Sequence, residues 1–167
     1  MSKLINCLLN KDHSYTPIWF MRQAGRYLPE FRKIRSQNKD FIKLCLNSDL
    51  SSEITLQPLK RFDLDAAIIF SDILMVPYGL GQDVKFKKEI GPVLSNFNLN
   101  IFLNNDKKNF LIKLNEVYKA INKTRKNLNK KKSLISFVGA PWTLAVYMLG
   151  LKKNKKKINI NNFKKKK

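Results

Sequence analysis

Residues 21–32 read MRQAGRYLPEFR, and this stretch guides the interpretation of the whole chain. The short apolar run of residues 17–21 leads directly into it, which predicts a buried strand that ends in a polar loop. Two arginines, Arg22 and Arg26, lie in the loop, and guanidinium groups bind carboxylates or phosphates through paired hydrogen bonds. Gly25 lets the backbone approach a ligand closely or take a positive φ. We therefore predict that this loop binds an anionic group.

Two further apolar runs have the same character as the first. Residues 66–70 read AAIIF and residues 134–138 read LISFV, without strict alternation of apolar and polar positions. Short continuous runs rich in β-branched or aromatic residues are typical of parallel strands that are buried on both faces. Because helical patterns separate the three runs, the sequence predicts an α/β domain with a parallel sheet.

The segments between the runs predict helices and one hairpin. One helical pattern covers roughly residues 30–46, with Asn38 as a possible break. Another covers roughly residues 49–62, and any one of residues 47–49 is suited to cap it. A hairpin is predicted between residues 84 and 94, with Gly91-Pro92 separating its strands.

The net charge of +21 is concentrated in two lysine-rich segments, residues 107–132 and residues 152–167, each of which carries +9. The first has helical periodicity, so the simplest interpretation is a surface helix with solvated lysines. Nucleic-acid sites usually interleave aromatic residues with arginine, whereas the basic residues of this segment are nearly all lysine and it has one tyrosine, Tyr118. A basic binding module remains an alternative. The apolar stripe of this predicted helix is Phe110, Leu114, Val117, Ile121 and Leu128.

Composition predicts a reduced, cytosolic protein without a metal. No apolar stretch approaches the roughly 20 residues that span a bilayer, and the N-terminal segment does not resemble a signal peptide. Cys7 and Cys45 are too few for a disulfide framework, and His13 has no evident ligand partners near it. The sequence also lacks the common nucleotide and hydrolase motifs, so it offers no cofactor.

Polar or glycine-rich residues follow all three predicted strands. Asp72 follows the second strand, and a segment with Gly139, Trp142 and Tyr147 follows the third. The carboxyl ends of parallel strands form the edge where α/β folds bind ligands. Asp72 is therefore either a carboxylate that stabilises positive charge on a substrate, or a helix cap or arginine partner.

The other candidate residues also have structural alternatives. The two arginines of the loop could form surface ion pairs with Glu30 or Asp40, which contribute little to stability. For Trp142 the core of the following helix is the favoured interpretation. For Tyr147 the sequence does not decide between the core and a ligand site.

Four motifs together resemble the uroporphyrinogen decarboxylase family: MRQAGRYLPEFR at 21–32, ITLQPLKRF at 54–62, LDAAIIFSDIL at 64–74 and GAPWTLAVYM at 139–148. The resemblance extends from about residue 15 to about residue 150. It implies a (β/α)8 TIM barrel, usually a homodimer, that uses no metal or organic cofactor. It also implies removal of the carboxyl groups of the four acetate side chains of uroporphyrinogen III, giving coproporphyrinogen III in haem biosynthesis.

The same resemblance implies the roles of individual residues. Arg22 and Arg26 are expected to bind substrate carboxylates, and Asp72 to accept hydrogen bonds from pyrrole N–H groups. Tyr147 is expected to line the cleft and position the reacting substituent, while Arg22 or a substrate carboxyl delivers the proton. Asp72, Arg22 and Tyr147 are thus the expected catalytic residues. The expected substrate-binding residues are Arg22, Gln23, Ala24, Gly25, Arg26, Asp72 and Tyr147.

Members of that family run to about twice the length of this chain, as a complete barrel requires. We therefore expect residues 1–151 to be the N-terminal part of a single barrel, with about three strand–helix units and no activity alone. Residues 152–167 are expected to form a lysine-rich low-complexity tail. Two alternatives remain open, one half of a split enzyme and a basic module for nucleic acid or anionic surfaces; neither nucleic acid nor membrane is the expected partner.

Overall fold

The computed structural model describes residues 1–10, 14–87 and 89–151, so His13 and the lysine-rich residues 152–167 lie outside the described residues. The described part is a mixed α/β structure with nine helices and four strands. No helix in this part of the chain combines the length and apolar character needed to cross a membrane. The elements are α1 Lys3–Asn10, α2 Pro29–Gln37, α3 Phe41–Cys45, α4 Ser48–Arg61, β1 Ala66–Ile68, α5 Met75–Gly79, β2 Val84–Lys87, β3 Gly91–Leu94, α6 Leu99–Asn104, α7 Lys107–Lys113, α8 Asn115–Asn127, β4 Ser133–Ile135 and α9 Pro141–Met148.

Two of the three predicted parallel strands form and pair directly with each other. Ala66 of β1 aligns with Ser133 of β4, and Ile68 aligns with Ile135. The amide of Ile69 extends the pairing by donating to the Ile135 carbonyl at 3.0 Å. The carboxyl ends of both strands therefore open on the same side, as the sequence predicts.

The first predicted strand does not form. Ile18 forms two hydrogen bonds with Asp65. The Asp65 amide donates to the Ile18 carbonyl at 2.8 Å, and the Ile18 amide donates to the Asp65 carboxylate, also at 2.8 Å. A carboxylate oxygen of Asp65 thus accepts the hydrogen bond that a backbone carbonyl would accept in a β-ladder. Ile18 is 49% exposed, because in the described residues no second layer covers this segment. The prediction of a buried strand over residues 17–21 was therefore wrong.

The helical predictions around Asn38 and Asn47 are confirmed. Asn38 separates α2 from α3, and both its backbone amide and its side-chain amide donate to the Ile34 carbonyl. Asn47 caps α4, because its side-chain oxygen accepts from the Leu50 amide at 3.0 Å. Such caps satisfy backbone N–H groups that have no partner within the helix.

The hairpin forms with a shifted turn. Strands β2 and β3 are antiparallel, and Lys87 aligns with Gly91. Gly91 and Pro92 therefore lie inside β3 rather than between the strands. Gly91 has a φ of 85°, which a residue without a Cβ adopts at little cost.

Two buried clusters support the sheet. The first, here called the α2–α4 cluster, comprises Leu28, Phe31, Ile34, Leu44 and Ile54. The second, here called the α5–α7 cluster, comprises Ile42, Cys45, Leu74, Met75, Val84 and Leu114. Phe70, two residues beyond β1, packs against both clusters. The segment that follows β1 is therefore fixed from two sides.

The basic segment is helical with an interruption, because α7 and α8 meet at Leu114. Its predicted apolar stripe is buried or half-buried throughout. Helix α8 packs on α4, where the Thr124 and Ser52 hydroxyls bond at 3.0 Å and Lys123 forms an ion pair with Asp49 at 2.6 Å. This arrangement agrees with a surface helix that turns most of its lysines to solvent.

Replacing Gly79 by alanine is expected to lower the free energy of unfolding by about 1 kcal/mol. A Cβ there would lie 2.7 Å from the Phe110 ring and 3.1 Å from Leu114. Overpacking of this kind costs about 1–3 kcal/mol, which exceeds the helix-propensity gain of up to about 1 kcal/mol. Urea denaturation of the variant measures the change. The Phe110→Leu background is the control, and an equal loss in both backgrounds would contradict the clash.

Candidate active site

A cleft of about 750 Å³ opens at the carboxyl ends of β1 and β4. Its lining comes from the loop after residue 18, the segment after β1, the β2–β3 hairpin, the end of β4 and helix α9. Three of the predicted site residues, Arg22, Asp72 and Tyr147, line it together. The structure thus brings a cation, a carboxylate and a phenol to one concave surface, although they are far apart in the sequence.

Asp72 is held by the turn that leads into α5. Its Oδ1 accepts a hydrogen bond from the Leu74 amide at 2.8 Å, and its carbonyl accepts from Met75 at 3.1 Å. Within the described residues Oδ2 accepts no hydrogen bond. Burial raises the pKa of the Asp72 carboxyl above its usual value, and the Leu74 N–H partly offsets this rise. A half-buried carboxylate with one free oxygen is suited to accept N–H groups from a ligand.

Cys45 lies in the α5–α7 cluster close to Asp72. Burial raises the pKa of its thiol, and the negative charge of Asp72 raises that pKa further. The thiol therefore remains neutral at physiological pH. Because the thiolate is the nucleophilic form of cysteine, Cys45 acts here as a small apolar side chain rather than as a nucleophile.

Arg22 and Arg26 are both exposed and form no ion pair with a carboxylate of the described chain. Glu30 pairs instead with Arg61, at 2.7 Å between Oε1 and Nε. Asp40 caps α3 through its side chain. The surface ion-pair alternative for the two arginines was therefore wrong, and their guanidinium groups remain available to an anion.

The remaining residues of the loop differ in their exposure to the cleft. Gln23 and Ala24 contribute to the lining, whereas Gly25 and Arg26 do not. Ala24 also packs against the α2–α4 cluster. Gly25 does not have a positive φ, and a Cβ built on it meets only the Tyr27 ring at 3.7 Å. Of its two predicted uses, only close approach of a ligand to the backbone remains.

The two aromatic residues of α9 have different environments. Tyr147 is half-buried, packs against the α5–α7 cluster and lines the cleft. Trp142 is 65% exposed, so its assignment to the core was wrong. Helix α9 buries Leu144 and Met148, which lie four residues apart on one face, and Trp142 falls on a different face.

Sequence reasoning missed the apolar walls of the cleft. Trp19, Phe86, Pro92 and Phe137 line it but were not identified as site residues. The signal for Phe137 was its position at the end of a predicted strand. Phe86 and Pro92 reach the cleft only through the hairpin, whose placement is a tertiary feature. Within the described residues no group of three or more His, Cys, Asp or Glu side chains is placed to hold a metal ion.

The comparisons with known proteins identify one family. The family model described as Uroporphyrinogen decarboxylase (URO-D) matches residues 1–166. A uroporphyrinogen decarboxylase of Orientia tsutsugamushi (strain Ikeda) is 48% identical over 150 residues, covering 90% of this chain and 44% of the relative. A uroporphyrinogen decarboxylase of Rickettsia felis is 47% identical over 149 residues, covering 89% of this chain and 43% of the relative. The chain therefore spans less than half the length of these relatives.

A solved structure shares the fold at low sequence identity. A methyltransferase from Methanosarcina mazei superposes with a TM-score of 0.67 at 14% identity. The match covers 89% of this chain and 44% of the methyltransferase. At this level of identity the likeness concerns the fold alone.

Proposed function

The chain belongs to the uroporphyrinogen decarboxylase family, and we propose that it supplies the substrate-binding cleft for decarboxylation of uroporphyrinogen III to coproporphyrinogen III. The observation that carries this proposal is the meeting of Arg22, Asp72 and Tyr147 on one cleft. The cleft combines apolar walls with few polar groups, which is the usual construction of a small-molecule site. A tetrapyrrole is a large apolar ring system that carries carboxylates at its rim, so it matches this combination.

The proposed role of Arg22 is to bind substrate carboxylates. Its guanidinium lines the cleft and has no carboxylate partner within the described part of the chain. Arg26 is exposed on the same loop, outside the cleft lining, and we propose that it binds a peripheral carboxylate. Charge-assisted, bidentate hydrogen bonds are stronger than neutral ones, so two arginines of this kind orient a polyanionic substrate.

The proposed role of Asp72 is electrostatic. Decarboxylation of an acetate side chain begins when a proton adds to the pyrrole carbon next to the one that bears the acetate, which leaves the ring positively charged. The bond to the carboxylate then breaks, CO2 leaves and the electron pair neutralises the ring as an exocyclic methylene. A proton adds to that methylene and the ring carbon releases its proton, which gives the methyl group. A carboxylate that accepts the pyrrole N–H groups stabilises that charge in proportion to its desolvation. Arg22 or a substrate carboxyl is the proposed proton donor. Tyr147, which also lines the cleft, is proposed to position the reacting acetate.

The wider architecture is also part of the proposal. The parallel pair β1–β4, with helices between its strands, fits a section of a (β/α)8 barrel. The relatives contain a further part that has no counterpart in this chain. We propose that this part completes the barrel and its cleft, that the complete enzyme is a cytoplasmic homodimer, and that it needs no cofactor, nucleic acid or membrane.

Co-expression tests the proposed function. The chain is produced together with the part of the Orientia relative that it does not match, and coproporphyrinogen formed from uroporphyrinogen III is measured. We expect activity only when both polypeptides are present. Activity of the 167 residues alone would contradict the requirement for the other part, and no activity in any combination would contradict the proposed function.

A split enzyme is the second candidate; this chain matches 44% of the Orientia relative and 43% of the Rickettsia felis relative. In that case a separate polypeptide completes the barrel in the source cell. Purification of the chain from that cell would then yield a second polypeptide in a one-to-one ratio. Purification of the chain without such a partner would contradict it.

Arg22→Ala is expected to raise the KM of the co-expressed enzyme by about tenfold to a hundredfold. The loss of one charge-assisted interaction corresponds to about 1.5–3 kcal/mol. Arg26→Ala is expected to have a smaller effect, because Arg26 lies outside the cleft lining. Steady-state kinetics of both variants measures the difference. Equal effects of the two substitutions would contradict the placement of Arg22.

A further inference from the structure

The side chain of Gln23 is buried, and both its amide oxygen and its amide nitrogen form hydrogen bonds. It is 2% exposed. Its Oε1 accepts a hydrogen bond from the Phe20 amide at 3.1 Å, and its Nε2 donates to the Ala66 carbonyl of β1 at 2.9 Å. The side-chain amide thus connects the arginine loop to the sheet in the way that a peptide group of a neighbouring strand would.

A second anchor lies directly beside the first. Asp65, which precedes Ala66, bonds the backbone of Ile18 through its own amide and its carboxylate. Residues 18 and 23 are therefore tied to consecutive residues at the start of β1. The Tyr27 hydroxyl also donates to the Gln23 carbonyl. The chain between the two anchors turns outward, and Arg22 lies in that turn.

We infer that Gln23 is a positioning residue, whose side chain fixes the backbone of Arg22 at the cleft rather than binding the substrate itself. The inference rests on the proposed function, because it explains how Arg22 is oriented for a carboxylate. The amide oxygen and the amide nitrogen of Gln23 each already bond the backbone, and the side chain is 2% exposed, so little of it is open to a ligand. A guanidinium on a fixed turn loses less conformational freedom on binding than one on a mobile loop.

The first arm of the test measures the anchor in the free chain. Amide hydrogen exchange of Phe20 is followed by NMR in the wild type and in Gln23→Met, which keeps the length and unbranched shape of the side chain but lacks both hydrogen bonds. We expect the protection of the Phe20 amide to fall at least tenfold in Gln23→Met. Gln37→Met is the matched control, because Gln37 is exposed at the end of α2.

The second arm uses Gln23→Glu, a conservative variant that is expected to regain the hydrogen bonds of glutamine at acid pH, where its carboxyl group is protonated. A protonated glutamic acid donates one hydrogen bond and accepts another, like glutamine, whereas the ionised form only accepts. Burial and the negative charge of the adjacent Asp65 favour the protonated form, and Arg22 opposes it; the Tyr27 hydroxyl faces the backbone carbonyl. At pH 8 the ionised glutamate can still accept from the Phe20 amide, but it cannot donate to the Ala66 carbonyl, whose oxygen repels it and releases the loop from β1. We therefore expect Phe20 protection in Gln23→Glu to approach that of the wild type at pH 5 and to fall at pH 8, each compared with the wild type at the same pH.

The third arm uses the co-expressed enzyme and measures its binding of uroporphyrin, the oxidised and stable analogue that keeps all the substrate carboxylates. We expect Gln23→Met to weaken its binding at least tenfold, and Gln23→Glu to do so at pH 8 but not at pH 5. Unchanged affinity in Gln23→Met, or unchanged Phe20 protection, would overturn the positioning role while leaving the proposed function intact. Failure of the co-expressed wild-type enzyme to bind uroporphyrin would instead overturn both.

Discussion

Asp72→Asn is expected to lower the rate of coproporphyrinogen formation by a factor of about 10²–10³, as measured for the co-expressed enzyme. Removing one preorganised electrostatic group from an active site typically has an effect of this size. Asparagine keeps the oxygen that accepts from the Leu74 amide, so the turn into α5 is preserved. What it removes is the negative charge beside the developing pyrrolium.

The stability of the same variant should change in the opposite direction. Burial raises the pKa of Asp72, so the folded chain disfavours its ionised form. A group with a raised carboxyl pKa weakens the fold increasingly as the pH rises from its unfolded pKa through its folded pKa. Asp72→Asn is therefore expected to be at least as stable as the wild type at pH 7, measured by urea denaturation.

The pH dependence of the rate gives an independent check. Catalysis needs ionised Asp72, so the wild-type rate should fall as the pH decreases through a pKa above the usual aspartate value. The residual rate of Asp72→Asn should lack that step. Asp106→Asn is the matched control, because Asp106 also accepts a backbone N–H at the start of a helix but lies outside the cleft lining. A full rate for Asp72→Asn would contradict the assigned role.

Ile54→Ala is expected to lower the free energy of unfolding by about 2–5 kcal/mol, the usual range for large-to-small substitutions in a core. Ile54 is fully buried in α4, and every member of the α2–α4 cluster is buried as well. The surrounding residues belong to two further helices, so they cannot move together to fill the space. Ile54→Ala then loses both the packing contacts of the removed atoms and the free energy of transferring those atoms from water to the core.

The effect of Ile54→Ala should also reach the site, because Ala24 of the arginine loop packs on this cluster. Urea denaturation measures the stability, and uroporphyrin binding below the transition measures the site. Ile112→Ala is the control, since Ile112 is 62% exposed and such substitutions usually change stability by less than about 0.5 kcal/mol. A loss below about 1 kcal/mol for Ile54→Ala would show that the cluster repacks.

Local patterns predicted the elements whose signals are themselves local. The break at Asn38 and the cap at Asn47 depend on side chains that bond their own neighbourhood, and both were predictable. The strands at Ala66–Ile68 and Ser133–Ile135 were predictable from their short continuous apolar runs, and the structure pairs them with each other. By contrast, the run at residues 17–21 is also apolar, but no second layer covers it within the part of the chain that the structure describes, and tertiary context therefore decided its conformation.

The site residues also divide into those that a local sequence pattern indicates and those whose role depends on the tertiary structure. Asp72, Arg22 and Tyr147 could be singled out because polar groups after apolar runs mark the ligand edge of a sheet. The role of Gln23 could not be seen, since nothing in the sequence indicates that a side-chain amide replaces a backbone partner of Ala66. Trp142 was assigned to the core because it is large and aromatic, but the phase of α9 places Leu144 inside instead.

The burial of Cys45 has a kinetic consequence. A thiol reacts with a disulfide reagent only as the thiolate and only where the reagent can reach it. Cys45 meets neither condition while the α5–α7 cluster is closed, whereas Cys7 is only half-buried. Labelling of Cys45 therefore requires local opening of the cluster. The labelling rate of Cys45, relative to that of a free thiol, gives the free energy of that opening. Because Leu74 of this cluster holds the Asp72 carboxylate through its amide, the labelling rate of one native cysteine reports how often the support of that carboxylate opens.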